Sequence, residues 1–349
     1  MLLLMVVLCV ISVAESKHEA ACDVTRSMDI NHKKLEITAY ARSSRMSQDN
    51  LSECVDGAIS LCQEYAEKYF DEQSDKSELG HIADLQKKGA GGRYELSPSP
   101  LLLVRSGLML TECSGGAYDI TAGALYRLFE DPEEAPTEEE LREALSQCGS
   151  SLIETEDHAI RLKDGVVLNL DSLSDCYMCR MLEEYFILCG VANVCVSYGD
   201  VVFTSGGRLT TKGVLFWKHI EKEPFEVILP DAYPDLKEDK LIADDGYYAW
   251  AARPEAASAN DLYTDILPFV SSQTGLPYEH ETGSVAVVLE NGAHAWYAHA
   301  IAHMLLALGK ENSMKLLSSG LLETSFDLSI RQVRFEMISG ETEFYKNEE

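Results

Sequence analysis

Positive charge is scarce in this chain: its 349 residues carry 29 Lys and Arg against 58 Asp and Glu, a formal net charge of −29. So acidic a surface repels nucleic acid and anionic lipid, and nucleic acid is not expected as a partner. A phosphorylated ligand would need local help, from backbone N–H groups or from a bound cation. Internal repeats, low-complexity tracts and Pro-rich linkers are also missing, which excludes solenoids and loosely tethered arrays. The length suits one large domain or two small ones, with 46% apolar residues to fill a core.

The apolar start "MLLLMVVLCVISVAES" is short for a bilayer span and has no basic residue before it. It reads as a signal-peptide core, with Ser12-Val13-Ala14 as a small-x-small cleavage site. Residues 1–14 are therefore expected to be a signal peptide, 15–27 an exposed linker and 28–349 the folded domain. Export follows, to the outer face of the cytoplasmic membrane or the periplasm. Cys22 follows Ala20-Ala21 and is a candidate for a lipid anchor to the membrane, or else an ordinary cysteine. Without Cys9 and Cys22, eight cysteines remain. An even count permits disulfides without fixing their connectivity, and cysteine is as often a small buried hydrophobe. "CYMC" at 176–179 has redox spacing but sits in a helical pattern with no other thioredoxin-like feature, which favours packing.

Periodicity places the elements. "KLEITAYAR" alternates as a strand and "NLSECVDGAISLCQEYAEKYF" has helical spacing. A polar, Gly-rich stretch with a short helical piece follows. "PLLLVRSGLMLTECSGG" is a second helix stopped by Gly115-Gly116. Thr137 and Glu140 form a capping box that opens a third, its acidic first turn suited to the helix dipole. "AIRLKDGVVLNL" reads as a hairpin turning at Asp164-Gly165, and "RMLEEYFILCG" as a helix ended by Gly190. "VANVCVSYGDVVFTSGG", "FEVILP" and "SVAVVLE" are strands. "AWYAHAIAHMLLALG" is a helix closed by Gly309. Strands and helices interleave without strict alternation, which points to an α+β fold.

Four stretches in this order resemble the FAD:protein FMN transferases, the ApbE family. They are "MDINHKKLEITAY"; Ser77-Glu78-Leu79; "GAYDITAG" at 116–123; and "NLDSLSD" at 169–175, followed by the helix around "YAHAIAHM". The resemblance runs from about Met28 to Leu317. It implies a single two-lobed α+β domain, a mixed sheet flanked by helices. It implies FAD as substrate and flavin contacts at Met28, Glu78, Ala117, Tyr118, Asp119, Thr121, Asn169 and Asp175. It also implies a flavin-acceptor protein as partner, whose Thr or Ser hydroxyl takes FMN while AMP leaves.

Several positions depart from the family pattern. Asn169 replaces an aspartate, Cys176 a glycine, and Pro268 and Ser271 replace a His and an Asp before the retained "TGLP". In relatives, two positions of the late helix hold Mg²⁺ together with a backbone carbonyl. They correspond to His299 and His303, with Ser172 as the carbonyl donor. Four-residue spacing puts both histidines on one helix face. Imidazole suits transition metals and Mg²⁺ prefers oxygen, so the pair reads either as a changed metal site or as a lost one.

Asp119 and Asp175 are candidate bases by residue type, placed in the cleft only by the resemblance; Asp119 followed by Thr121 also reads as a turn or cap. Besides FMN transfer, the sequence leaves two functions open: a catalytically silent flavin-binding protein, and a metal-dependent FAD pyrophosphatase in which water attacks. The acceptor motif of the family's known substrates is absent here, so modification in cis is not expected.

Overall fold

Cys22 and Val24 alternate with polar neighbours, and Leu35, Ile37, Ala39 and Ala41 do the same; both sets are buried. They belong to the opening hairpin, β1 (Ala21–Ile30) and β2 (Lys33–Arg42). The protein is seen here as a computed structural model that describes residues 20–71, 75–88, 91–129, 136–213, 219–229, 239–243, 245–252, 270–276, 278 and 280–346. The signal segment and Pro268 lie outside the described residues. β1 begins inside the stretch read as an exposed linker, because alternation of inward residues extends back to Cys22. The Cys22 thiol is buried, 4.0 Å from the Met46 carbonyl.

Helix α1 (Gln48–Tyr65) follows, capped by Ser47, whose Oγ accepts the Asn50 N–H. Then come α2 (Glu78–Lys87), β3 (Gly92–Glu95), α3 (Pro98–Cys113), the short α4 (Gly123–Arg127) and α5 (Glu138–Ser146). α5 opens with the expected Thr137–Glu140 capping box. β4 (Ile153–Thr155) and β5 (Ala159–Leu162) join β3 in a small sheet of order β3-β5-β4.

The hairpin expected at Asp164-Gly165 does not form. After Gly165, which turns with φ 81, the chain crosses to the 120–123 segment instead. The Val167 carbonyl accepts the Gly123 N–H, and the Asn169 N–H donates to the Ile120 carbonyl. A polar-apolar pattern on both sides of a turn fixes which residues point inward, not which strand they pair with.

Helix α6 (Asp171–Cys189) ends at Gly190, in the left-handed region at φ 74. The hairpin β6 (Asn193–Tyr198) and β7 (Val201–Ser205) follows, then β8 (Arg208–Lys212) with β9 (His219–Glu223), and β10 (Phe225–Leu229) with β11 (Asp239–Ala243). β12 (Gly246–Ala252), β13 (Thr282–Glu290), α7 (Ala298–Ser318), α8 (Leu321–Phe326), β14 (Ile330–Met337) and β15 (Thr342–Lys346) complete the elements of the described residues.

Eight strands form one large sheet in the order β1-β2-β6-β7-β12-β13-β14-β15. The α+β class holds; every pairing in this sheet is antiparallel, a refinement of the mixed sheet expected. α1, α6 and α7 cover one face. Ile37, Val196, Phe203, Tyr247 and Val287 point to them, while Val202, Tyr248, Ala286 and Val288 meet Phe225 and Val227 on the opposite face. Burial on both faces explains why β13 reads as a nearly continuous apolar run.

α7 does not stop at Gly309. That residue takes φ 70 and ψ 162, a conformation essentially confined to glycine, and kinks a helix that resumes beyond it.

A buried ion pair at the head of two helices

The N-terminal ends of α6 and α7 meet beneath the sheet, and Cys176 ties them. Its Sγ accepts the His299 N–H at 3.1 Å, one of the amides that the first turn of a helix leaves free. Burial pushes the Cys176 thiol up, against the pull of the His299 and Ala300 amides. Cys179 is likewise buried, and the nine cysteines of the described residues are all free, as a packing role for "CYMC" expects.

The charged groups stand at this same contact: Asp175 directly precedes Cys176, and His299 is the residue whose N–H the sulfur accepts. Asp175 is buried and His299 is buried opposite it, their Oδ2 and Nδ1 3.5 Å apart. The other carboxylate oxygen, Oδ1, accepts from the Lys33 ammonium at 2.7 Å. Lys33 arrives there because it directly follows the two-residue turn Asn31-His32. Both turn residues have positive φ (49 and 61), as a tight hairpin turn of this hand requires. Gly199, at φ 55 in the β6–β7 turn, closes over the pair. A Cβ there would stand 3.4 Å from both Asp175 Oδ2 and Lys33 Cδ.

Burial opposes the charge on Asp175, but Lys33 and His299 outweigh it and hold the carboxyl below its usual range. Burial also pulls against the Lys33 ammonium. Asp175 first, then Asp171 and Asp200, more than compensate and hold it above the usual lysine range. Asp200 itself is pushed up by burial. Beyond His299, the Nε2 atoms of His299 and His303 lie 2.9 Å apart, so one ring donates and the other accepts. Burial, then His299 and Lys33, push His303 well below the ordinary imidazole value, and it is neutral at neutral pH.

The remaining expected site residues divide into two groups. Tyr118 and Ser172 meet beside Cys176, hydroxyl to hydroxyl at 3.0 Å. Asp119 binds back on its own turn, accepting from the Thr121 N–H at 2.8 Å and the Thr121 hydroxyl at 2.6 Å. The Thr121 oxygen in turn accepts the Gly149 N–H. The Ala117 carbonyl accepts from Tyr278, while Ser272 and Gln273 bind the Gly116 and Gly115 carbonyls, so the "SSQTG" segment straps this turn down.

Away from these contacts, Glu78 grips Ser97 at the head of α3 through its N–H and hydroxyl. The Met28 sulfur accepts from Gln63, and Asn169 is held by its backbone to Ile120. Ser271 caps its own turn through the Gln273 and Thr274 amides. Lys33 was not among the expected site residues. Its only sequence signal is a basic residue straight after a tight turn, and its partner lies 142 positions away.

Magnesium needs oxygen ligands in near-octahedral order. Here the two imidazoles face each other, and the adjoining Asp175 carboxylate is engaged by Lys33 and His299. Ser172 lies in the first turn of α6, where a carbonyl accepts the amide four residues on. Two imidazoles are also one ligand short of the three that hold a catalytic zinc. Among the described residues, no group of three or more His, Cys, Asp or Glu is arranged to hold a metal ion. The donor set does not fit magnesium.

The sequence model of the ApbE family matches residues 32–326. No curated protein matches the chain. Among solved structures, it is similar to the flavin transferase ApbE from Vibrio cholerae, with 16% identity and a TM-score of 0.71 over 93% of this chain and 97% of that one. The apo flavinyl transferase ApbE of Pseudomonas stutzeri gives 15% and 0.70, covering 94% and 96%. The ApbE protein of Thermotoga maritima gives 17% and 0.70, covering 92% and 96%. At such identities the likeness speaks for the fold.

Proposed function

The chain belongs to the ApbE family, and on that premise we propose that it transfers the FMN half of FAD to a Thr or Ser hydroxyl of an acceptor protein. The observation that carries this reading is the family match over most of the chain, joined to a fold shared along nearly the full length of flavin transferases. In the reaction, the hydroxyl oxygen attacks the FMN phosphorus, the phosphoric anhydride bond breaks, AMP leaves, and the hydroxyl proton passes to a base.

Asp175 suits the part of base better than Asp119. It is ionised at neutral pH, and it stands between Lys33 and His299 where the two helices meet. Asp119 is doubly engaged by Thr121 at one oxygen. The proposal extends to place: the apolar leader supports export, with the acceptor met outside the cytoplasmic membrane.

One observation favours a second reading, flavin binding without turnover. The positions matching the family's metal ligands hold two imidazoles bonded to each other. Intact mass of a relative's acceptor domain, incubated with this protein and FAD while AMP is quantified, separates the two. An FMN-sized mass gain with matching AMP supports transfer; AMP alone means hydrolysis. FAD binding with neither product leaves the silent reading.

A further inference from the structure

A site that must receive a pyrophosphate amid Asp171, Asp175 and Asp200 needs a cation, and among the described residues Lys33 supplies one that is already part of the chain. Lys33 Nζ is 2.7 Å from Asp175 Oδ1. An ammonium has three donor hydrogens, so Asp175 leaves others for a ligand. The Lys33 side chain is 31% exposed against 4% for the Asp175 side chain, so part of it reaches solvent where the carboxylate does not. Gly199 above and the two-residue turn behind restrict how far it can withdraw. On the far side of Asp175 the Nε2 atoms of the two histidines pair with one another instead of presenting converging lone pairs.

We propose that the Lys33 ammonium is the resident cation of this site: it stands in for the divalent ion, neutralises Asp175 and meets the phosphates of the dinucleotide, so that ligand binding needs no metal. The dinucleotide half rests on the function proposed above; the metal half stands without it. A lysine contributes a point charge and rotating donors where Mg²⁺ would impose octahedral order, so the anion is held by charge and by hydrogen bonds.

Two titrations on the full chain, stripped of metal with a chelator, test this. In the first, Mn²⁺, Mg²⁺ or Zn²⁺ alone is added. The expected result is no stoichiometric site; one ion per chain, lost in His303→Ala, overturns the metal half. In the second, FAD is added with chelator or with each metal, to the wild type, Lys33→Gln and Lys33→Arg. Wild-type affinity should vary by no more than about twofold among these conditions. Lys33→Gln should bind about tenfold more weakly, unrescued by metal, and Lys33→Arg close to the wild type.

A lysine that only props up Asp175 would lower the melting temperature in Lys33→Gln and leave FAD affinity unchanged, which refutes the dinucleotide half. So does binding restored by metal. Failure of the wild type to bind FAD at all removes the proposed function and the dinucleotide half together, while the first titration still decides the metal half. Circular dichroism of each variant identifies one that has not folded, and Lys33→Met, which removes the charge but keeps much of the apolar stem, then replaces Lys33→Gln in the comparison.

Discussion

Asp175→Asn should move stability and ligand affinity in opposite directions. The change keeps shape and leaves an acceptor for Lys33, but removes the charge from a carboxylate whose side chain is 4% exposed. A hydrogen bond to a charged group contributes about 1.5–3 kcal/mol net. Relief of the buried carboxylate's desolvation offsets part of this, and Lys33, partly exposed, regains water. A net loss of about 1–2 kcal/mol remains. With unfolding entropy of about 2 cal/mol/K per residue, a chain of this length shifts by only about 2 °C, measurable by calorimetry.

Ligand binding gains from the same change. A unit charge about 6 Å from a phosphate contributes about 3 kcal/mol of repulsion at an effective dielectric of 20, and less after screening by water and salt, so FAD should bind about tenfold more tightly. Transfer to the acceptor should nonetheless slow by about 100-fold or more, since the proton acceptor is gone. Fluorescence titration reads the first and intact-mass kinetics the second. Weaker FAD binding in Asp175→Asn would refute the electrostatic argument and mean that the carboxylate helps hold a ligand or cation. Undiminished transfer would remove Asp175 from the chemistry.

Thr121→Val keeps volume and branching but strips the Gly149 N–H of its acceptor and Asp119 of one donor, and should cost about 2 kcal/mol in denaturant unfolding; a loss below about 0.5 would show that water replaces both. Gly309→Ala should cost at least about 2 kcal/mol, because a Cβ there would lie 2.8 Å from the His280 ring on a backbone that only glycine adopts readily; an unchanged melting temperature would mean that the kink relaxes.

Glu183 supplies a pH test. Burial raises its carboxyl, against the pull of Tyr247 and Arg180, so the folded chain holds a proton more tightly there than the unfolded one. Stability from this group is present below about pH 4.3 and lost as pH rises through the raised value. Glu183→Gln keeps an acceptor for the Tyr247 hydroxyl, so the variant should melt higher than the wild type at pH 7 and converge with it below about pH 4.3. A pH-independent difference would refute the assignment.

Much of the fold was legible because its signals are local. Thr137 and Glu140 bond within one turn, so their sequence suffices to start α5. Gly190 stops α6 because the left-handed cap needs only that residue. The hairpin misread at Asp164-Gly165 shows where local signals end: the inward residues were right, yet Val167 and Asn169 find their partners near 120–123. At the site, the i, i+4 spacing made the contact between His299 and His303 readable, but not that their Nε2 atoms would bond to each other.

The sequence by itself determined the class, the family and the order of the motifs, since periodicity, caps and motif residues are properties of short stretches. The tertiary structure alone decided the chemistry of the site. It brought Lys33 from a hairpin turn to Asp175 on a distant helix and turned the Asp119 carboxylate onto Thr121. A charge's role depends on what stands within about 4 Å of it, and here those neighbours come from elements more than a hundred residues apart.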